Sequence, residues 1–477
     1  MNVLAIDQGT SGTKALVVDE AGLVLAVAQQ PLRPVYLPGG GVEQDPGSLL
    51  DSVLHAGRRA LQEAGVTVGG VALANQGETV LAWDRASGRP LSPAVVWQDR
   101  RAEELCAALA EHGPLVARRT GLVLDPYFSA PKMAWLRRNV TTEGVVTTTD
   151  TWLVHQLCGA FVTDVATASR SLLLDLDSRT WSPDLAEIFG LGAERLPEIV
   201  ACDETVGVTD RFGPSLPLGG LIVDQQAALA AHGCLEAGGA KCTFGTGAFL
   251  LANTGDRAVR SSTGLTSSVA WSARRVTCYC VDGQVYAAGS AIRWMADLGL
   301  LDDVQGIDAA AAPDAGGVTC VPCLAGLAAP WWRPDATATF AGLTLASGAG
   351  HLVTALLEGI AAQVAELVSP VEQDLGRPLG RLRVDGGLTQ SRRLMQATAD
   401  IVGRPIDVYP SGHATALGAA AFGRLAGDPG LRLDDAVTGW TPATTYEPQW
   451  PAAQAREFRS RWRGTAQAAL GDPQQAS

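Results

Sequence analysis

The same short pattern occurs twice in this chain, once near the start and once past the middle. The apolar run 3–7 leads into Gly9-Thr10-Ser11-Gly12, and the run 239–244 leads into Gly245-Thr246-Gly247. Each turns straight back into a second apolar run, which is the signal of a β-hairpin with a glycine-bearing reversal. The first unit continues with a strand over 13–19, the turn Asp19-Glu20-Ala21-Gly22 and a third strand over 23–29. A helix follows over 46–64, with Asp45 as cap and Pro46 in its first turn, and then a strand over 71–74. A three-strand meander before the first helix differs from a dinucleotide-binding unit, which begins strand-helix-strand. After the second hairpin, with its return strand over 248–252, a strand over 382–385 runs into Gly386-Gly387 and a helix over 391–402. Two halves that open alike predict an α/β chain of two similar domains joined within residues 226–238, with 211–220 helping to form the hinge. Residues 1–228 form the N-terminal domain in this reading and 229–443 the C-terminal one. Residues 444–477 form an extension of weak periodicity whose last residues, 472–477, are frayed.

Composition limits the partners. The chain has 477 residues, 47% hydrophobic and 18% charged, enough apolar material for large cores. A formal net charge of -13 leaves no overall basic field for nucleic acid or an acidic membrane. An anionic ligand must therefore be held locally, by backbone donors, lysines and a metal ion. The nine cysteines are scattered. Cys278 and Cys280, and Cys320 and Cys323, sit in apolar strand-like text without supporting ligands, so they read as small buried hydrophobes rather than zinc ligands. No basic leader precedes the first strand, and no uncharged apolar stretch of about 18 residues suggests a membrane span. The expected location is the cytoplasm.

The glycine-bearing turns carry the chemistry. Asp7 ends a strand, where a carboxylate can hold magnesium directly or through water. The glycines allow the backbone to approach a phosphate, and Thr10, Ser11 and Lys14 offer donors. Alone this is an ordinary turn. A second such turn at Thr243-Phe244-Gly245-Thr246-Gly247 in the other half makes a two-sided phosphate clamp, and Asp385-Gly386-Gly387 adds a glycine-rich approach at a strand-to-helix junction.

Longer stretches identify a relationship. Tyr127-Phe-Ser-Ala-Pro-Lys-Met-Ala-Trp-Leu-Arg-Arg-Asn139, Ala338-Thr-Phe-Ala-Gly-Leu343 and His351-Leu-Val-Thr-Ala-Leu-Leu-Glu358 resemble the two signatures of the FGGY carbohydrate kinase family, most closely its glycerol kinases. Trp97-Gln-Asp-Arg-Arg101, Thr163-Asp-Val-Ala-Thr-Ala-Ser-Arg170 and Asp224-Gln-Gln-Ala227 add to the likeness, which runs from about Val3 to Ala426. The resemblance implies two actin-like (ribonuclease H-like) domains flanking a deep catalytic cleft, and transfer of a phosphoryl group from ATP with Mg2+ to a small polyol or sugar. It also makes a homodimer or homotetramer reasonable. It assigns Asp224 as general base and places the acceptor near Gly77, Glu78, Trp97, Tyr127, Asp224, Gln225 and Phe249. The nucleotide would lie near Thr10, Ser11, Gly12, Lys14, Thr246, Gly289, Arg293, Gly387 and Ser391. A helix N-cap is the plainer reading of Asp224, and a core position that of Trp97, Tyr127 and Phe249. His351 and Glu358 read as helix surface.

The chain departs from the pattern in three places. Gly77 stands where glycerol kinases carry Arg, Arg293 where they carry Gln, and Ser391 where they carry Asn. Loss of a charged donor to a substrate hydroxyl costs about 1.5–3 kcal/mol, and loss of the Arg bulk leaves room. Glycerol is the leading acceptor in this reading, with a four- or five-carbon polyol or ketose such as erythritol or xylulose as the alternative. A non-catalytic actin-like nucleotide switch is the reading from another class.

Overall fold

Two mixed sheets organise the chain, and each begins with one of the glycine hairpins. The structure is a computed structural model that describes residues 1–470; the expected fraying over 472–477 lies outside the described residues. In the first sheet Val3–Gly9, Gly12–Val18 and Val24–Pro31 form an antiparallel meander. The helix Pro46–Ala64 then returns the chain so that Gly70–Asn75 pairs parallel to the first strand. Leu216–Val223 pairs parallel to that strand in turn. The second sheet repeats the order. Ala240–Phe244, Ala248–Gly255 and Val276–Val285 form the meander, Leu382–Asp385 lies parallel to the first of them, and Ile406–Val408 lies parallel beyond it. Both cores therefore run 3-2-1-4-5 with strand 2 antiparallel, the ribonuclease H-like topology shared by actin-like domains. The structure is α/β with two such domains.

Local sequence explains the elements. Asp45 accepts a hydrogen bond from the Ser48 N–H at 2.7 Å, Pro46 occupies the first turn, and Gly65 closes the helix at φ 61°. Its buried stripe of Leu49, Val53, Ala56 and Ala60 covers one face of the first sheet. The helix Ala349–Leu375 is long and apolar enough to cross a membrane, yet 83% of its most apolar window is buried within the protein. It is the central helix of the second domain's core, which explains its composition without a bilayer. Cys280 and Cys320 are buried in strands and Cys323 is buried just beyond one, while Cys278 is half-buried.

Several expectations need correction. Residues 211–220, expected to help form the hinge, turn from Thr205–Thr209 into Leu216–Val223, an antiparallel pair of the first sheet. The extension has regular structure despite its weak periodicity. Thr444–Tyr446 pairs with Ile406–Val408, and Ala452–Ala469 is a helix whose Phe458, Trp462 and Ala466 are buried in the second core and whose Ala455 is also buried. The Trp462 indole N–H also donates to the Cys320 carbonyl at 2.8 Å. His351 accepts from the Gly348 N–H at 3.0 Å and so fastens the start of its helix. Glu358 is half-buried rather than on the open surface, and burial raises its carboxyl to about 7.

Candidate active site

The parallel strands bring the polar residues to one edge. Register pairs Gln8 with Asn75 and Asn75 with Val223, so three strands of the first sheet end level. Asp7, the turn 76–79 and Asp224 consequently gather at the carboxyl ends of the strands, where open α/β sheets bind ligands. In the second sheet Thr243 and Asp385 are register partners at the corresponding edge. One cleft chamber is lined from both domains, by Thr10, Ser11, Gly77, Glu78, Trp97, Tyr127, Asp224 and Gln225 on one side and Thr246 and Phe249 on the other. A second chamber, which shares Thr243 with the first, is lined by Lys14, Asp385, Gly386, Gly387, Thr389 and the loop 409–415.

The first chamber combines aromatic walls with buried charge. Trp97 meets Tyr127 and Phe249 edge-on, with ring centroids 5.6 and 5.8 Å apart. The Trp97 indole N–H donates to Thr10 Oγ1 at 2.9 Å, so the aromatic wall and the first hairpin are one construction. Glu78 sits at φ 58°, an unusual conformation for a residue with a side chain. Its Oε1 accepts from Arg170 Nε at 2.6 Å, and Arg170 Nη1 donates to Asp282 Oδ1 at 2.8 Å, which ties the two domains through buried charges. Burial raises the Glu78 carboxyl above its ordinary value, and Arg170 restrains that rise. Tyr127 is held from behind: buried Lys132 Nζ donates to the carbonyls of Pro126, Tyr127 and Phe128 at 2.5–2.8 Å. Those three acceptors use all three ammonium protons, although burial pulls the Lys132 pKa down to about 7.

Asp224 opens the helix Asp224–Ala231 and accepts from the Gln225 N–H at 2.6 Å. The residue at the cap position is Val223, so Asp224 is not the N-cap. Burial, then the neighbouring Asp7 charge, raises its carboxyl to about 6. Asp7 itself is raised to about 6 by burial, against the pull of Lys14. Asp385 goes the other way: burial opposes its charge, but His232 and Lys241 outweigh burial and hold it at about 2. Lys241 is fully buried and donates to Gln225 Oε1 at 2.6 Å and Thr243 Oγ1 at 2.8 Å. It fixes the Gln225 amide in the chamber.

The two hairpins face the cleft, and backbone contacts brace them. Lys14 Nζ donates to the Gly412 carbonyl at 2.6 Å across the domains. The Gly289 N–H donates to the Gly245 carbonyl at 3.0 Å, and a Cβ on Gly289 would lie 2.7 Å from that oxygen. Gly289 thus lies behind the second hairpin. Gly386 has φ 96°, and a Cβ there would overlap the Phe244 carbonyl; Gly387 faces open space. Gly12 ends the first turn, paired in register with Gly9. Two expected nucleotide neighbours stand apart. Ser391 Oγ caps the helix Arg392–Val402 by accepting from the Leu394 N–H at 3.1 Å and also bonds Asp308, so its hydroxyl is engaged. Arg293 is exposed on the helix Gly289–Asp297 and lines neither chamber.

The space beside Gly77 also differs from expectation. A Cβ on Gly77 would lie 2.9 Å from Val223 Cγ2, so a valine methyl takes up the space next to the backbone at 77. Sequence reading also passed over Lys132, Lys241, Asp282 and Val223 as site residues. Arg170 closed a recognised stretch without being assigned a role.

Known proteins match this architecture along its length. The N-terminal domain of the FGGY family of carbohydrate kinases matches residues 2–229, and the family's C-terminal domain matches 240–427. A glycerol kinase from Bordetella parapertussis is 41% identical over 494 aligned positions, covering 98% of this chain and 97% of the relative. One from Thermus brockianus is 40% identical, covering 98% of each. Among solved structures, Plasmodium falciparum glycerol kinase with ADP superposes with a TM-score of 0.90 at 31% identity, covering 99% of this chain and 98% of that one. A xyloylose kinase from Brucella ovis gives 0.88 at 25% identity, covering 98% and 99%. With both domains matched and the cleft built between them, the chain belongs to the FGGY family of carbohydrate kinases, enzymes that phosphorylate an alcohol group.

Proposed function

We propose that this chain transfers the γ-phosphoryl group of ATP to a hydroxyl of glycerol, with Asp224 as the general base. The observation that carries the reading is Asp224 itself: a half-buried carboxylate in the aromatic chamber, beside hairpins from both domains, with its carboxyl raised. An alcohol is a poor nucleophile until its proton is taken as the bond to phosphorus forms. A carboxyl at about 6 is mostly ionised at neutral pH, yet more basic than an ordinary aspartate. Glu78, Tyr127 and Gln225 supply hydrogen-bonding groups that align the acceptor's hydroxyls, with Trp97 and Phe249 against its carbons. Thr10, Ser11, Lys14 and Thr246 hold the phosphates, Gly12 closes the first turn beside them, and Gly387 with residues 409–412 flanks the nucleoside. Gly289 acts indirectly by bracing the second hairpin, and Ser391 by capping its helix.

Asp7 fits a magnesium ion. It stands half-buried at its strand end with its carboxyl raised, and its charge beside Asp224 is one that a cation shared with the phosphates relieves. One or two carboxylates completed by phosphates and water are the usual magnesium set. When bound, the ion neutralises charge on the transferring phosphoryl group. The remaining catalysis is alignment and exclusion of water, which competes with the alcohol as acceptor.

The choice of glycerol rests on full-length likeness to glycerol kinases. A coupled ADP assay with glycerol, erythritol and xylulose tests it. Glycerol should give the highest kcat/KM; robust turnover of the pentulose without glycerol turnover overturns the assignment.

A further inference from the structure

The chamber wall at Gly77 carries information beyond the reaction class. Gly77 opens the turn that presents Glu78, and the Thr79 N–H donates back to the Gly77 carbonyl at 2.7 Å. That tight turn fixes the direction any side chain at 77 must take. Val223 Cγ2 already stands in that direction, 2.9 Å from the Cβ position, and Val223 is itself 2% exposed. At under 3.0 Å something must shift to admit a Cβ, so side chains at 77 and 223 compete for the same space. Both line the acceptor chamber, and Leu251 and Phe249 are further apolar members of its lining.

The geometry points to Val223 as a specificity-determining residue, coupled to Gly77, which makes this part of the acceptor site a carbon wall without a donor. The inference rests on the polyol-kinase reading and narrows its substrate class. The acceptor is a short polyol whose carbon at this wall needs no hydroxyl, so a deoxy analogue is a competent alternative. A hydroxyl facing the wall gains no charged hydrogen bond. Hydrophobic sites discriminate over one hydroxyl by only ~100-fold, whereas sites built to bond it reject the deoxy compound by about 10⁴–10⁵.

The test is a cycle of Gly77→Arg, Val223→Gly and the double variant, assayed with glycerol and propane-1,2-diol. The wild-type kcat/KM ratio of glycerol to the diol should be below ~200. Gly77→Arg alone should lose acceptor turnover, because its Cβ meets the Val223 methyl. Adding Val223→Gly should restore turnover and raise the glycerol preference at least about tenfold, the effect of one charged hydrogen bond. Thermal midpoints of the milder pair Gly77→Ala and Val223→Ala read the same coupling without activity: Gly77→Ala lowers the midpoint, and less so when Val223 is also Ala. A wild type that uses glycerol but rejects the diol by 10⁴, or independent effects at 77 and 223, overturns this inference alone. A wild type that phosphorylates neither compound overturns the polyol reading and this inference with it.

Discussion

Arg170→Met is the sharpest probe of the buried charge between the domains. The Arg170 side chain is 6% exposed, and it bonds Glu78 and Asp282, whose side chains are 6% and 8% exposed. Removing it leaves two carboxylates without their cation in a site too dry to solvate them. Removing one partner of a buried pair costs about 3–5 kcal/mol. At ~2–4 °C per kcal/mol for a domain of this size, the thermal midpoint should fall by about 6–20 °C. The loss must also depend on pH. Burial already raises Glu78, and without Arg170 its pKa rises further above the unfolded value. Such a group costs nothing below the unfolded pKa and destabilises progressively as pH rises through the folded one. Calorimetry at pH 5 and pH 8 should therefore show the larger deficit at pH 8. The acceptor KM should rise at least about tenfold, because Glu78 at φ 58° loses the bond that holds it. A midpoint within about 1 °C of wild type, or a deficit equal at both pH values, refutes the reasoning.

Three further outcomes follow from other parts of the molecule. With Asp224 raised to about 6, kcat/KM should fall by about tenfold per pH unit below that value, and a profile flat down to pH 5 contradicts the general-base role. Lys132→Met removes three carbonyl bonds behind Tyr127, so it should destabilise by ~3 kcal/mol or more and raise the acceptor KM while leaving the ATP KM within about twofold; steady-state kinetics separates the two constants. Trp462→Ala should cost about 3–5 kcal/mol in denaturant unfolding, because its ring is buried in the second core and its N–H is paired; a cost below ~1 kcal/mol makes the C-terminal helix peripheral after all.

The elements that sequence revealed are those with local causes. The hairpins show themselves through period-two apolar runs around glycine. The helix Pro46–Ala64 shows itself through Asp45-Pro46 at one end and Gly65 at the other. Asp7 and Asp224 each follow an apolar run at a strand end, so their place at the sheet edge is readable. The missed features are made by distant partners. Arg170 finds Glu78 92 positions away and Asp282 112 positions away, and nothing local marks it as buried. Val223 reads as one more core residue until strand register sets it beside Gly77. The helix Ala452–Ala469 escaped notice because its buried stripe of Ala455, Phe458, Trp462 and Ala466 is narrow and lies in arginine-rich text. Ser391 also has a local role that its position just before the helix makes readable: its hydroxyl accepts from the Leu394 N–H and caps the helix Arg392–Val402.

The most direct measurement is the turnover and nucleotide affinity of Asp224→Asn. That change keeps the shape of the carboxylate, whose backbone bond to Gln225 an amide oxygen can replace, and removes its capacity to take a proton. The account predicts kcat lower by at least ~100-fold with ATP and ADP dissociation constants within about threefold of wild type. Turnover near the wild-type rate would place proton removal elsewhere and contradict the account at its centre.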